Sequence, residues 1–167
     1  MSFHGGLIGI ILTSFINSKY KKIIFFQLSD LVATVAPLGI FLGRLANFIN
    51  VELYGRTTKF PFAMIYPNID TIPRHPSQLY EAFFEGIVLF LILYILSNPT
   101  SKKHKFGLTT SYFLIFYGLF RLFLEFLREP DANLGLFYNF FTMGQLLSIP
   151  MILIGIIFYI KHHNEYS

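Results

Sequence analysis

Five long apolar stretches constrain this chain most, because few folds accommodate them. They are Phe3–Ile16, Ile23–Ile49, Ala82–Leu96, Phe106–Leu127 and Met143–Ile160. A helix that spans a bilayer needs about 20 mostly apolar residues. The second, fourth and fifth stretches supply them, and the third does so when its flanking residues are included. The first stretch is short. Of the 167 residues 54% are hydrophobic and 13% are charged, which is too little polar surface for a soluble domain. We predict an all-α integral membrane protein with about five transmembrane helices.

The lysines predict how these helices are oriented. They follow the odd-numbered stretches, as Lys19, Lys21, Lys22, Lys102, Lys103, Lys105 and Lys161. If the helices alternate in direction, all seven lie on one side, which the positive-inside tendency makes cytoplasmic. We therefore expect one transmembrane domain over residues 1–167, with outer loops at about 50–80 and 128–142. The same topology places the N-terminus outside, so we expect further helices upstream and a larger bundle of which this chain is the C-terminal part.

The arginines gather on the opposite side from the lysines. They are Arg44, Arg56, Arg74, Arg121 and Arg128, and the carboxylates near them include Glu52, Asp70, Glu81, Glu125, Glu129 and Asp131. One interpretation is that arginine–carboxylate pairs secure the outer loops and helix ends. The other is that an excess of guanidinium groups binds an anionic ligand in bidentate fashion.

The run Gly43–Gly55 concentrates polar groups at the outer end of the second stretch. Its polar or turn-forming members are Arg44, Asn47, Asn50, Glu52 and Gly55. The first two are three residues apart and share a helix face. The next two lie where the helix should end, as caps or loop anchors, and the last glycine suits a tight turn. Gly39 and Gly43 form a small-xxx-small pair, which predicts close helix packing.

Two further segments place polar groups at the same depth. The third span opens with His75-Pro76-Ser77-Gln78-Leu79-Tyr80-Glu81, which helix capping explains in large part, although the polar cluster is larger than capping needs. Along the fourth span, residues spaced by four, four and three share one face: Tyr117, Arg121, Glu125 and Arg128. There Glu125 either neutralises Arg121 or orients it toward a phosphate.

His4 lies at the outer boundary, level with Arg44 and Arg121. A lone histidine is more often structural, yet an ordinary pKa of about 6.5 suits proton transfer. The chain has no Cys, which excludes disulfides, Cys-ligated metals and a thiol nucleophile of its own. Because HExxH, P-loop and GxSxG motifs are also missing, we expect neither a metal nor a cofactor, and no nucleic-acid partner.

These segments, in this order, resemble the prolipoprotein diacylglyceryl transferase family. The matching pieces are Met1–Gly6, Gly43–Gly55, His75–Glu81, Tyr117–Asp131 and Gly144-Gln145. The resemblance implies an enzyme of the bacterial cytoplasmic (inner) membrane whose active site faces outward. It would transfer diacylglyceryl from phosphatidylglycerol to the lipobox Cys thiol of a preprolipoprotein signal peptide, and glycerol phosphate would leave.

The resemblance also implies roles for individual residues. Arg44 and Arg121 would bind the phosphate and His4 would be the base. Asn47, Gly55 and Tyr117 would complete the headgroup site, and Glu52 and Glu125 would orient the arginines. The residues expected to support the site are Asn50, His75, Gln78, Tyr80, Glu81 and Arg128.

Two alternatives stay open. The chain is a non-catalytic anionic-phospholipid-binding protein or transporter component, or it is an inactive fragment. A binder would also need arginines at the outer face, but it would need neither His4 nor the face that carries Tyr117, Arg121 and Glu125.

Overall fold

The computed structural model describes residues 3–97, 106–130 and 142–164, without the side chains of residues 3–8 and 163–164. These ranges contain five helical segments and no strand: α1 Phe3–Lys21, α2 Phe25–Ile49, α3 Ser77–Ser97, α4 Leu108–Leu124 and α5 Met143–Asn164. The predicted all-α membrane fold is confirmed for this part of the chain. The predicted loop at 128–142 and the lysines at 102, 103 and 105 lie mostly or wholly outside the described residues.

Three of the helices are long and apolar enough to cross a membrane. They are α2, α3 and, within α5, Met143–His162, whereas α4 is apolar but only 17 residues long. Large apolar side chains point outward from these helices, as at Leu42 and Ile95, which are 64% and 72% exposed. Such a surface suits lipid as the solvent.

Buried polar contacts join the helices at the lysine-rich end of the bundle. Asp30 in α2 accepts hydrogen bonds from the backbone N–H groups of Gly107 and Thr110, at 2.7 and 2.8 Å, and from the Thr110 hydroxyl at 2.6 Å. It thereby satisfies donors that the first turn of α4 leaves without intrahelical acceptors. Thr109 donates to Ser97 at the end of α3, at 3.0 Å. The start of α2, the end of α3 and the start of α4 therefore meet, so these helices alternate in direction.

A small apolar core fills the bundle between its two polar ends. Leu89, Leu93 and Tyr117 are buried there, and partly buried side chains of α2, α4 and α5 pack around them. The Tyr117 ring stacks on Phe113 at 5.5 Å. The core thus separates the contacts of Asp30 from the charged groups at the opposite end.

Close approach of α2 and α3 depends on Gly86, and within the described residues the close packing predicted at Gly39 and Gly43 is not found. A Cβ atom on Gly86 would lie 2.7 Å from Phe41 Cβ and 3.0 Å from Phe41 Cα. In the part of the chain that the structure describes, no atom lies within 4 Å of a Cβ built on Gly39 or Gly43. Among these residues, the glycine that permits close packing of α2 belongs to α3.

We predict that Asp30→Ala destabilises the bundle by about 2 kcal/mol or more, because two backbone N–H groups lose their carboxylate acceptor. Ser29→Ala is the matched control, since it removes only one hydroxyl contact to Thr110, at 2.8 Å, and should cost about 1 kcal/mol or less. The free energy of unfolding in detergent measures both. Equal losses from the two substitutions would contradict the capping role of Asp30.

Candidate functional site

Five charged side chains from three helices meet at the end of the bundle opposite the lysines. They form what we call the arginine cluster: Arg44 from α2, Glu81 and Glu85 from α3, and Arg121 and Glu125 at the end of α4. The glutamate side chains are at most 6% exposed and the arginines 14% and 11%. Buried ions are costly unless they are paired, so each member depends on the others.

Glu81 joins the two arginines. Its Oε2 lies 3.0 Å from Arg44 Nη1, and its Oε1 accepts a hydrogen bond from Arg121 Nη1 at 2.7 Å. Arg121 also contacts Glu125 Oε2 through Nη2 at 2.6 Å. Arg121 and Glu125 are one helical turn apart, and this spacing turns both side chains to the same face. Glu81 therefore connects α2, α3 and α4 through charged contacts.

Glu85 is a member of the cluster that the sequence interpretation missed. Arg44 donates to its Oε2 from both Nε and Nη2, at 3.3 and 3.0 Å. A signal was present: Glu81 and Glu85 are four residues apart, as Arg121 and Glu125 are, and Glu85 lies in an apolar stretch where a carboxylate is expensive.

The backbone around Glu85 departs from a regular α-helix. Residues Ala82–Val88 form a π-helical segment inside α3, and such segments are frequent at functional sites. Gly86 follows Glu85 directly and has room only for a hydrogen against Phe41 of α2. The irregular turn and the missing side chain thus place Glu85 where α2 approaches most closely and where Arg44 reaches it.

Two further groups border the cluster. Tyr117 is buried one turn before Arg121. Gly144 at the start of α5 lies against the Glu125 carboxylate, whose carbon would be 2.7 Å from an added Cβ. No side chain fits at Gly144 without displacing Glu125, which accounts physically for a glycine at this position.

Backbone turns beyond α2 lead the chain away from the cluster. Asn50 caps α2, and Glu52 N–H donates to the Asn47 carbonyl at 2.8 Å. Val51 adopts φ 59° and Leu53 φ 56°, a left-handed conformation that is costly for a β-branched residue such as Val. This end of the helix is fixed from outside, since side chains at the start of α3 bind the backbone of Glu52 and Leu53, the two residues that follow Val51.

Side chains at the start of α3 secure this strained turn. Gln78 donates to the Glu52 carbonyl at 2.7 Å and accepts from the Tyr66 hydroxyl at 3.2 Å. Ser77 donates to the Leu53 carbonyl at 2.9 Å. Gln78 and Ser77 are fully or almost fully buried. The segment that we predicted to support the site therefore holds the loop that follows α2.

The structure does not bring every predicted residue to the arginines. The Glu52 side chain is exposed, and within the described residues its carboxylate makes no ion pair with Arg44 or Arg121. Glu81 and Glu85 contact the arginines instead, and Glu52 forms hydrogen bonds through its backbone. Asn47 and Asn50 contribute backbone contacts at the helix end. The His4 side chain lies outside what the structure describes.

Gly55 joins the loop to the end of α4. Its N–H donates to the His75 carbonyl at 3.0 Å, and Gly55 forms a β-bridge with Arg128. A Cβ here would collide with the His75 carbonyl and lie 2.8 Å from the Leu127 carbonyl. Gly55 is outside the left-handed φ region, so close approach, and not the predicted tight turn, requires the glycine. The His75 and Tyr80 rings pack nearby, 6.0 Å apart.

The remaining loop arginines serve the loop itself. Arg74 contacts Asp70 at 2.6 Å and Glu129 at 3.4 Å. Its hydrogen bond lowers the pKa of the Asp70 carboxyl, so this contact persists through neutral pH and weakens only in acid. Arg56 donates to the Arg128 carbonyl at 2.9 Å. Arginine–carboxylate pairing therefore holds for Arg74 in the loop. It also holds for Arg44 and Arg121, because the cluster has three carboxylates for two arginines and so lacks the predicted excess of guanidinium groups.

An open cavity of about 770 Å³ lies in the same loop and is separate from the arginine cluster. Thr57, Lys59, Phe60 and Ile72 contribute to its lining. None of these residues takes part in the contacts among Arg44, Arg121 and their carboxylates.

Comparison with known proteins finds one family over nearly the whole chain. Residues 1–161 match the family described as prolipoprotein diacylglyceryl transferase. This chain is similar to proteins named phosphatidylglycerol–prolipoprotein diacylglyceryl transferase. It is 54% identical to those of Rickettsia felis and Rickettsia africae and 52% identical to that of Rickettsia akari, each over 155 residues. These alignments cover 93% of this chain and 60% of each relative.

We predict that Gly86→Ala disturbs both packing and the cluster, because its methyl group forces α3 away from Phe41 and so separates Glu85 from Arg44. A loss of about 1–3 kcal/mol in the free energy of unfolding is expected. Gly39→Ala in α2 is the control and should leave stability unchanged or raise it slightly. Equal behaviour of the two variants would contradict the close approach at Gly86.

Proposed function

Since this chain belongs to the prolipoprotein diacylglyceryl transferase family, we propose that it carries the phosphate-handling part of a diacylglyceryl transferase. Its substrates would be phosphatidylglycerol and the lipobox Cys thiol of a preprolipoprotein signal peptide. The location would be the bacterial cytoplasmic (inner) membrane, with the site toward the outer side, as the distribution of lysines favours. The chain covers 60% of its relatives' length, so the proposal concerns the part of the activity that these residues supply.

The observation that carries the proposal is the convergence of Arg44 and Arg121 on Glu81. Two guanidinium groups from different helices are fixed about one carboxylate in a largely buried site, at 3.0 and 2.7 Å. Guanidinium groups match phosphate geometry and act strongly where water is excluded. Preorganised cations of this kind stabilise charge that develops in a transition state.

The proposed reaction develops negative charge on the phosphate. The thiol sulfur attacks the glyceryl carbon that bears the phosphate ester, a C–S bond forms and the C–O bond breaks. The electron pair of the broken bond stays on glycerol phosphate, and the thiol proton passes to a base. Because a thiol with pKa of about 8.5 is mostly protonated at neutral pH, a base assists it, and we propose His4 for this role.

The other residues would position these groups. Glu81 and Glu125 hold the two arginines, and Tyr117, buried one turn before Arg121, would donate a hydrogen bond to the phosphate. Asn47 and Gly55 would shape the headgroup site from the end of α2 and the loop. The residues proposed to maintain the surrounding backbone are Asn50, Glu52, His75, Gln78, Tyr80 and Arg128.

We predict that Arg121→Ala lowers diacylglyceryl transfer at least about 100-fold, because a preorganised cation facing the leaving phosphate is lost. Membranes containing the full chain, phosphatidylglycerol and a lipobox peptide are scored for the diacylglyceryl mass increase. If this chain alone is inactive, it is co-expressed with the part of the Rickettsia felis relative that it does not match. Lys59→Ala, which removes an exposed cation of the loop, is the control and should retain transfer.

Membrane insertion of Arg121→Ala is checked by fractionation, so that loss of transfer is not loss of protein. Normal peptide lipidation by an inserted Arg121→Ala protein would remove Arg121 from the mechanism. A chain that binds phosphatidylglycerol vesicles but never modifies the peptide, even with the complementing segment, would favour the non-catalytic lipid binder.

A further inference from the structure

Glu85 occupies the edge of Arg44 that fits a phosphate best. Arg44 Nε and Nη2 are two parallel donors, yet both converge on the single oxygen Glu85 Oε2, at 3.3 and 3.0 Å. A phosphate presents two oxygens to that edge, so each donor would have its own acceptor at about 2.8 Å. The two donors of Arg44 therefore make weaker hydrogen bonds with Glu85, where they share one oxygen, than they would make with a phosphate.

Glu85 also makes the longest contacts of the three carboxylates in the arginine cluster. Its Oε2 lies 3.0 Å from Arg44 Nη2, and its Oε1 lies 3.6 Å from Arg121 Nη1. Glu81 contacts an arginine through each oxygen, at 3.0 and 2.7 Å, and Glu125 approaches Arg121 to 2.6 Å. By these distances, Glu85 is the carboxylate held least closely by an arginine.

The charge of the cluster makes an incoming phosphate a competitor of these carboxylates. When all five groups are ionised, three carboxylates face two guanidinium groups and leave one negative charge. A phosphodiester would add a second negative charge in a region of low dielectric, where repulsion is strong. Binding is favoured when the carboxylate nearest the phosphate position moves away from it.

We propose that Glu85 is a displaceable stand-in for the substrate phosphate. In the structure it occupies the Nε–Nη2 edge of Arg44, and when phosphate binds it turns toward Arg121 Nη1, which its Oε1 already approaches. The exchange transfers no proton and breaks no covalent bond. It rests on the proposed function, because the phosphate is that of the lipid substrate.

The same exchange, run in reverse, promotes release of the product. Glycerol phosphate carries more negative charge than the phosphodiester, so it is held more strongly by Arg44. The return of Glu85 to that edge would expel it. Glu85 is thus a positioning residue that acts through Arg44, and its removal should retain the product as well as the substrate.

The test is a calorimetric titration of the detergent-solubilised full chain with glycerol phosphate, which measures the dissociation constant. Glu85→Gln removes the charge and keeps the shape, so its dissociation constant should fall at least about tenfold. The matched control is Glu129→Gln, which removes an exposed carboxylate paired with Arg74 and should bind as the unmodified chain does. In turnover, Glu85→Gln should lower both KM for phosphatidylglycerol and kcat.

Unchanged or weaker binding by folded Glu85→Gln overturns the proposal, since a carboxylate that merely supports Arg44 would weaken binding when removed. If Glu85→Gln does not fold, Glu85→Met replaces the charge by an apolar group of similar size. The proposal then requires that Glu85→Met bind glycerol phosphate more tightly by the same factor. Transfer without any gain in binding would refute the role of Glu85 and keep the proposed function. Tighter binding by Glu85→Gln without diacylglyceryl transfer by the chain, even after complementation, would support the role of Glu85 and refute the proposed function.

Discussion

Two guanidinium groups are tolerated inside a membrane-spanning bundle because carboxylates pair with both of them, and Glu81 lies between the two. Arg44 and Arg121 come from helices that do not follow each other in the chain, and the Glu81 carboxylate contacts both, at 3.0 and 2.7 Å. In a low-dielectric region each unpaired ion would destabilise the fold strongly. The interaction therefore fixes the relative positions of α2, α3 and α4, and it brings two guanidinium groups together at one place.

The features around this contact maintain it. Gly86 lets α3 approach α2, and Gly144 leaves space for the Glu125 carboxylate at the start of α5. Ser77 and Gln78 hold the turn after α2, in which Val51 is in a left-handed conformation. At the other end of the bundle, Asp30 holds the first turn of α4. The two polar ends and the apolar core between them keep the arginine cluster in place while the outer surfaces face lipid.

Much of the fold could be predicted from the sequence, because apolar length alone specifies helices in a bilayer. The α-helical spacing also predicted the pair Arg121–Glu125. Glu85 was missed since it interrupts an apolar stretch without a motif around it. The packing glycine was assigned to α2 instead of α3, because a small-xxx-small pattern does not reveal which helix face meets a neighbour. Glu52 was misjudged because the turn at Val51, which no spacing rule predicts, leads its side chain away from the arginines.

The central claim is that Arg44 and Arg121 together receive a phospholipid phosphate. Solid-state NMR measures this directly, through the dipolar coupling between lipid ³¹P and guanidinium ¹⁵N in arginine-labelled protein reconstituted in phosphatidylglycerol bilayers. The account predicts strong coupling that is largely lost in a variant carrying Arg44→Gln and Arg121→Gln, because these two groups hold the phosphate. Coupling of equal strength in that variant would assign the contact to the loop arginines and contradict the account.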